Sequence, residues 1–331
     1  MAIIDWDLYY DRRATAGFLA HFLHGGVAES LAEYARYAPY PVDLQMRKNP
    51  RTGAEHATLY VGLTSVLQVT RIKGDLLRLH GHKNLAGKHH AFDPAWSKPM
   101  TAEELTPRWR AVEGYLEDVI PLASAKHANK EGAVQAAVSV FSAGERVMVD
   151  REVALSFKDT STKTRIFEEI TAPYLDVVRT VAGVPGQHPT SFGGECDLLA
   201  VDARGRLLAV EVKPRNVGSI AWAGIQATIY AELFTRWLRS PRSAAADQPE
   251  VIIRDMLDQR TRLGLASPNR AALPDGPEVV PVVAIQRDSR EVFLDRLRSV
   301  HRTTVDSPGC AGTNLEVYEV SMTGRLQRLA L

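Results

Sequence analysis

Between Cys196 and Lys213 the chain reads as two short β runs, Cys196 to Val201 and Leu207 to Val212, flanking the loop Ala203-Arg204-Gly205. A three-residue hairpin loop takes a type I turn followed by a residue in the left-handed region, and Gly205 stands where that glycine belongs. This loop sets the register: Asp202 pairs with Arg206, Asp197 lies opposite Glu211, and Glu195 lies opposite Lys213. Side chains alternate faces along a strand, so Glu195, Asp197, Glu211 and Lys213 share one side of the hairpin. Leu198, Ala200, Leu208, Val210 and Val212 share the other, which must be buried. Any fold this chain adopts therefore has to hold three carboxylates and an ammonium group together at the open end of one hairpin. Opposed carboxylates in a cross-strand pair repel. A hard cation between them relieves the repulsion, and Mg²⁺ takes one or two carboxylates together with waters and substrate phosphate oxygens.

The segments around the hairpin alternate in type. Val147 to Phe157 is strand-like, and Thr162 to Val181 is helical by Ile166, Ile170, Tyr174, Val178 and Val181, with Pro173 kinking or restarting it. A helix over Ser219 to Leu238, a strand over Val279 to Ile285, a helix over Ser289 to Val300 and a final strand over Leu315 to Val320 follow. That order is α/β. Loops at 240–249 and 264–278 flank a short helix. The first half differs. Apolar residues recur at helical intervals from Asp11 to Tyr37, interrupted at Gly25-Gly26, and β-type runs over 58–61, 66–72 and 76–79 predict an antiparallel meander. Thr101 and Glu104 form a capping box that opens a helix to about Ile120, broken at Pro107, and a further helix covers Glu131 to Phe141. Two domains are expected, 1–150 and 151–331.

Composition removes several classes. A chain of 331 residues, 45% hydrophobic and 24% charged, is too apolar and too nearly neutral to be dominated by disorder. No stretch approaches about 18 consecutive apolar residues, the length of a membrane span. The first ten residues carry Asp5 and Asp7 and no cationic region before an apolar core, so no secretory signal is expected and the cytoplasm is the expected location. Two cysteines exclude a disulfide framework and a four-cysteine metal site. Forty basic against thirty-nine acidic residues leave no long basic tail, so a nucleic-acid contact has to come from a local patch.

Asp197, followed after thirteen intervening residues by Glu211-Val212-Lys213 on the next strand, resembles the PD-(D/E)xK nuclease superfamily, with Cys196 in place of the family's proline. Phe167-Glu168 resembles the glutamate the family places on the preceding helix, with Glu169 as its competitor. Gln226-Ala227-Thr228-Ile229-Tyr230 is similar to the Q-x3-Y element of the RecB-like branch, and its two ends share a helix face. The cysteines of the Cas4-like iron–sulfur proteins are missing. The resemblance covers roughly residues 150 to 290. It implies a restriction-endonuclease-like core, a mixed central sheet flanked by helices, next to a separate N-terminal α+β domain.

The resemblance also implies an activity, that of a Mg²⁺-dependent deoxyribonuclease in which Mn²⁺ can substitute. Under it Asp197, Glu211, the backbone carbonyl of Val212 and Glu168 hold the metal. Lys213 orients or helps to deprotonate the water and stabilises developing charge. Gln226 and Tyr230 contact the DNA backbone or orient Lys213, and Arg206 and Arg215 are among the cations available to phosphates. The expected partner is DNA, from which these residues do not distinguish RNA. Cutting two strands calls for two sites, hence a homodimer. Family analogy suggests bacterial defence, restriction or repair, with residues 1–150 recognising the target, a partner or a regulatory ligand. The alternative is a non-catalytic nucleic-acid-binding or regulatory protein that keeps the fold.

Other residues receive plainer readings. His80, His82, His89 and His90 lie among Lys83 and Lys88 at spacings that fit no closed zinc site, so a solvated basic loop is expected. Trp96, Trp109, Trp222 and Trp237 are expected in cores, Cys196 as a small buried hydrophobe, and Asp202 as a turn residue. Glu195 is open between a salt bridge to Lys213 and a place in the site.

Overall fold

A computed structural model describes residues 7–49, 52–82, 92–127, 131–140, 146–186, 188–240, 242, 244–268, 272–311 and 314–331. Its elements in chain order begin with β1 (Leu8–Tyr9), α1 (Ala16–Ala20), α2 (Glu29–Tyr37), β2 (Val42–Lys48), β3 (Glu55–Val61), β4 (Thr64–Ile72) and β5 (Leu76–Gly81). Helices α3 (Ala102–Leu105), α4 (Trp109–His127) and α5 (Glu131–Val140) follow, then β6 (Arg146–Ala154), β7 (Ser156–Phe157) and α6 (Thr160–Thr180). The remainder is β8 (Glu195–Asp202), β9 (Leu207–Lys213), α7 (Ala223–Leu238), α8 (Pro249–Arg262), β10 (Val279–Gln286), α9 (Glu291–Asp306), β11 (Glu316–Val320) and β12 (Leu326–Leu329). Of the described residues, 11–140 with 254–268 form one compact unit; 146–253 and 272–331, with 7–10, form the other. No helix of the described residues is long and apolar enough to cross a membrane.

In the first unit the helical pattern of residues 11–37 breaks where the glycines predict. Gly25 has φ +80°, and a Cβ on Gly26 would stand 2.4 Å from the carbonyl oxygens of Ala20 and His21. Strands β2 to β5 form an antiparallel meander. β2 was not expected, because Asp43 and Gln45 face inward at positions a pattern reading assigns to solvent. They are satisfied internally: the Gln45 amide donates to Asp43 at 2.7 Å, and Arg260 donates to Asp43 and to the Leu44 carbonyl. The Thr101–Glu104 capping box forms in both directions, and the break at Pro107 is a 3-10 turn between α3 and α4. Trp96 and Trp109 lie in the core with Leu31, Leu59 and Leu67. Lys83, Lys88, His89 and His90 lie outside the described residues. His80, on β5, is half-buried, and burial followed by Arg78 lowers its pKa.

The second unit is mixed α/β. Its main sheet has the order β12-β11-β10-β9-β8-β6. β6, β8 and β9 pair antiparallel, β10 runs parallel to both β9 and β11, and β12 closes the far edge antiparallel. The two parallel pairs need crossovers, supplied by α7 with α8 and by α9. Helix α7 is apolar around most of its circumference, as a helix buried against a sheet must be. Gly224 permits its close approach, since a Cβ there would lie 2.9 Å from Leu315 Cδ2. Asp159 caps α6 by accepting from the Thr162 N–H at 2.7 Å. Pro173 does not end the helix, which continues to Thr180. α8 has 14 residues rather than being short, and β12, only four residues long, was not foreseen.

Candidate active site

The hairpin closes as its turn chemistry requires. Gly205 has φ +76° and donates to the Asp202 carbonyl at 3.0 Å, while Asp202 Oδ1 accepts from the backbone N–H groups of Arg204 and Arg206. The pairs Val201–Leu207, Ala200–Leu208, Leu199–Ala209 and Leu198–Val210 follow the expected register.

The ladder then stops. β8 stays paired with β6 as far as Ala154–Glu195, but its pairing with β9 ends at Leu198–Val210. Asp197 and Glu211 therefore do not form the expected cross-strand pair. In place of a main-chain partner, Val212 N–H donates to Asp197 Oδ2 at 2.6 Å. An extended residue directs its N–H and C=O to the same side of the strand, so the Val212 carbonyl also faces the Asp197 edge. The strands part where the acids sit, and one of those acids satisfies the backbone group that the parting leaves open.

The charged side of the hairpin is not a solvent face either. β9 is a central strand, buried along its whole length on both sides. Glu211 is 3% and Lys213 7% exposed. Lys213 Nζ donates to Glu211 Oε1, two residues back on the same face. Val283 and Ile285 of β10 stand beside Glu211 and Lys213 in register and pack into a core with Ala223 and Ala227 of α7. α7 thus lies over the charged face. Its Tyr230 is buried, and its phenol is pushed far up by burial first, then by the negative field of Glu211, with Cys196 and Asp197 adding to it. Gln226, one turn earlier, opposes that rise through a side-chain hydrogen bond. Asp197, Glu211, Lys213, Gln226 and Tyr230 therefore belong to one neighbourhood.

Cys196 is fully buried, with Sγ 3.1 Å from the Leu198 carbonyl and 3.5 Å from that of Val210. Burial, then Asp197 and Glu211, push its thiol well up, which makes it an inert packing group. Trp222 and Trp237 are core residues.

Several expected residues lie elsewhere. Phe167 does place α6 against the start of β8: a Cβ on Gly194 would stand 2.2 Å from Phe167 Cζ. Yet Glu168 and Glu169 are both exposed, and Glu169 pairs with Arg236 at 3.0 Å and with Arg165 at 3.7 Å. Among the described residues no three Asp, Glu, His or Cys side chains gather in an arrangement that could hold a metal ion, so Glu168 does not complete a three-acid shell. Glu195 is exposed at the start of β8. Arg206 sits at the closed end of the hairpin, five residues or about 17 Å along β9 from Glu211. There it is tied to Asp202 at 2.7 Å and Glu316 at 3.2 Å, two carboxylates that compete with any phosphate. Arg215 is exposed just beyond Lys213, with its N–H donating to Gln286.

One carboxylate escaped the sequence reading. Glu152 on β6 lies between the pairs Arg151–Leu198 and Val153–Cys196, which puts it in register beside Asp197, and its φ is +49°. A left-handed non-glycine residue inside a strand is strained backbone. Nothing in the local sequence signals it.

Asp197, Glu211 and the Val212 carbonyl offer hard oxygen atoms at this point of the sheet, with the Glu152 carboxylate in register beside Asp197. Comparison of the chain with protein-family models, with curated proteins and with solved structures finds no match.

Proposed function

We propose that the second unit is a restriction-endonuclease-like hydrolase of phosphodiester bonds, with DNA as its substrate and Mg²⁺, or Mn²⁺ in its place, as its metal. The observation that carries this reading is the buried Glu211–Lys213 pair beside Asp197, at the point where β8 and β9 separate. Stability does not account for it. A buried ion pair is often no better than well-packed apolar residues of the same volume, so charges kept there point to chemistry. The donor set fits the ion: two carboxylates and one main-chain carbonyl are hard oxygen ligands, and Mg²⁺ completes its shell with waters and phosphate oxygens without a third acid. When bound, the metal relieves charge on the phosphoryl group and acidifies a water.

The chain's own residues do the rest. Asp197 and Glu211 would hold the metal, Asp197 being oriented by its bond from Val212 N–H. Lys213 presents an ammonium group that orients the attacking water and offsets negative charge as it develops. Gln226 and Tyr230 cover the site from α7 and position the substrate backbone. Arg215 supplies an exposed cation at the same edge. Two copies would place one such site on each strand of a duplex.

The test is incubation of the purified chain with plasmid and with linear single-stranded DNA in Mg²⁺, Mn²⁺ or EDTA. Metal-dependent loss of substrate that disappears in Lys213→Ala supports the hydrolase. The exposure of Glu168 and Glu169 favours one rival, a nucleic-acid binder that keeps the fold without cutting. Tight binding with no cleavage in any metal would establish that rival.

A further inference from the structure

A cleft of about 530 Å³ opens beside the site, within the second unit, and its wall includes His188, Thr190, Phe192, Ser219, Trp222 and Gln226. That volume lies within the range that holds small organic ligands. We propose that it is a nucleoside pocket, which takes the base and sugar adjoining the scissile phosphate and so selects unpaired substrate. The inference rests on the hydrolase reading and names what that site accepts.

Three observations lead to it. First, no Asp, Glu, Lys or Arg lines the cleft, and the ionisable side chain on its wall, His188, turns its ring nitrogens to two backbone carbonyls rather than to a ligand. Secondly, the wall is aromatic and fixed. The two ring nitrogens of His188 lie 3.0 and 2.9 Å from the Val178 and Val184 carbonyls, at least one of which accepts its N–H, so the polar edge of the ring is turned to backbone. Its ring stands 5.0 Å from that of Trp222 at an interplanar angle of 62°. Phe192 is half-buried on the same wall. The polar side chains left to meet a ligand are the hydroxyls of Thr190, Ser191 and Ser219 and the amide of Gln226. A neutral, planar group with hydrogen-bonding edges matches this lining, and a purely aliphatic one would leave the hydroxyls unpaired.

Thirdly, Gln226 belongs to both places. It lines the cleft and adjoins Ala227 on α7, which packs with Val283 and Ile285, the β10 neighbours of Glu211 and Lys213. A planar group in the cleft therefore lies against the helix that covers Glu211 and Lys213. In a polynucleotide the group so placed is the neighbouring nucleoside. A base seated there has left its stack, which costs least in a single strand or a frayed end.

The test is fluorescence anisotropy of the full chain in EDTA with a labelled single-stranded oligonucleotide. A set of copies, each with one abasic position, is titrated against wild type and Phe192→Ala. Stacking of one base on an aromatic wall corresponds to about fivefold to a hundredfold in Kd. One abasic position should weaken binding by that amount, Phe192→Ala should do the same, and the two losses should not add. Thr190→Val, which keeps the side-chain volume, should give a smaller loss at the same position. Indifference to Phe192→Ala, additive losses, or absence of oligonucleotide binding would overturn the pocket. Cleavage in Mg²⁺, with and without Lys213→Ala, is read separately. Lys213-dependent cleavage without the coupling refutes the pocket alone, and the coupling without cleavage refutes the hydrolase alone.

Discussion

Replacing Lys213 with Met removes an ammonium group from a position only 7% exposed while keeping most of its volume. Glu211, 3% exposed, then lies buried without the Nζ that donates to it. Breaking a buried ion pair on one side costs about 3–5 kcal/mol, because the remaining charge has lost its compensation in a poorly solvated place. For a unit of this size each kcal/mol moves Tm by about 2–4 °C, so the metal-free variant should melt about 6–20 °C lower. The double variant Glu211→Gln/Lys213→Met should recover much of that loss, since neither charge is then stranded. Mg²⁺ should raise Tm more in Lys213→Met than in wild type, because the ion takes over the role of the missing ammonium. At a hundred times its Kd it contributes about 2.7 kcal/mol. Thermal melts by circular dichroism, in EDTA and in Mg²⁺, measure all four quantities. A Lys213→Met protein that melts within 2 °C of wild type in EDTA would refute the argument that Glu211 is a buried carboxylate held by that lysine.

Gly205→Ala puts a Cβ 2.6 Å from the Ala272 carbonyl oxygen at φ +76°, a clash with backbone that should cost about 1–3 kcal/mol. An unchanged urea midpoint would contradict it. Cys310, whose thiol is pushed up to about 11 by burial and then by Glu232 and Asp176, should alkylate slowly at pH 8, with a thiolate fraction on the order of a hundredfold below that of an ordinary thiol. Cys196 should resist labelling until the chain unfolds; rapid reaction of both cysteines in the native protein would contradict the burial of either. The Asp159 carboxyl at the α6 N-terminus is lowered to about 2, chiefly by the Thr162 N–H. A depressed carboxyl stabilises the fold above its ordinary value of 3.8 and loses that contribution as pH falls through about 2. Asp159→Asn should therefore flatten the acid limb of the stability curve between those values, as read by helical circular dichroism.

The hairpin was legible because its causes are local. A glycine at the left-handed position and an Asp that accepts from two N–H groups fix the turn, and the turn fixes each pair up to Leu198–Val210. The Gly25-Gly26 break, the Thr101 capping box and the i, i+4 placement of Gln226 and Tyr230 were legible for the same reason. β2 was not. It carries buried Asp43 and Gln45, and Arg260, more than two hundred residues away, is among the partners that make that tolerable. Arg206 looked available to a phosphate until Glu316, brought beside it by β11, joined Asp202 in holding it.

The sequence alone determined which residue types meet: periodicity and turn chemistry act over a few residues and bring Asp197, Glu211 and Lys213 to one end of one hairpin. Only the tertiary structure decided their state. β8 follows β6 and leaves β9, Val212 N–H turns to the Asp197 carboxylate, and α7 with β10 closes over Glu211 and Lys213. Burial and charge coupling depend on the neighbours that distant segments supply, and those are set by packing of the whole unit.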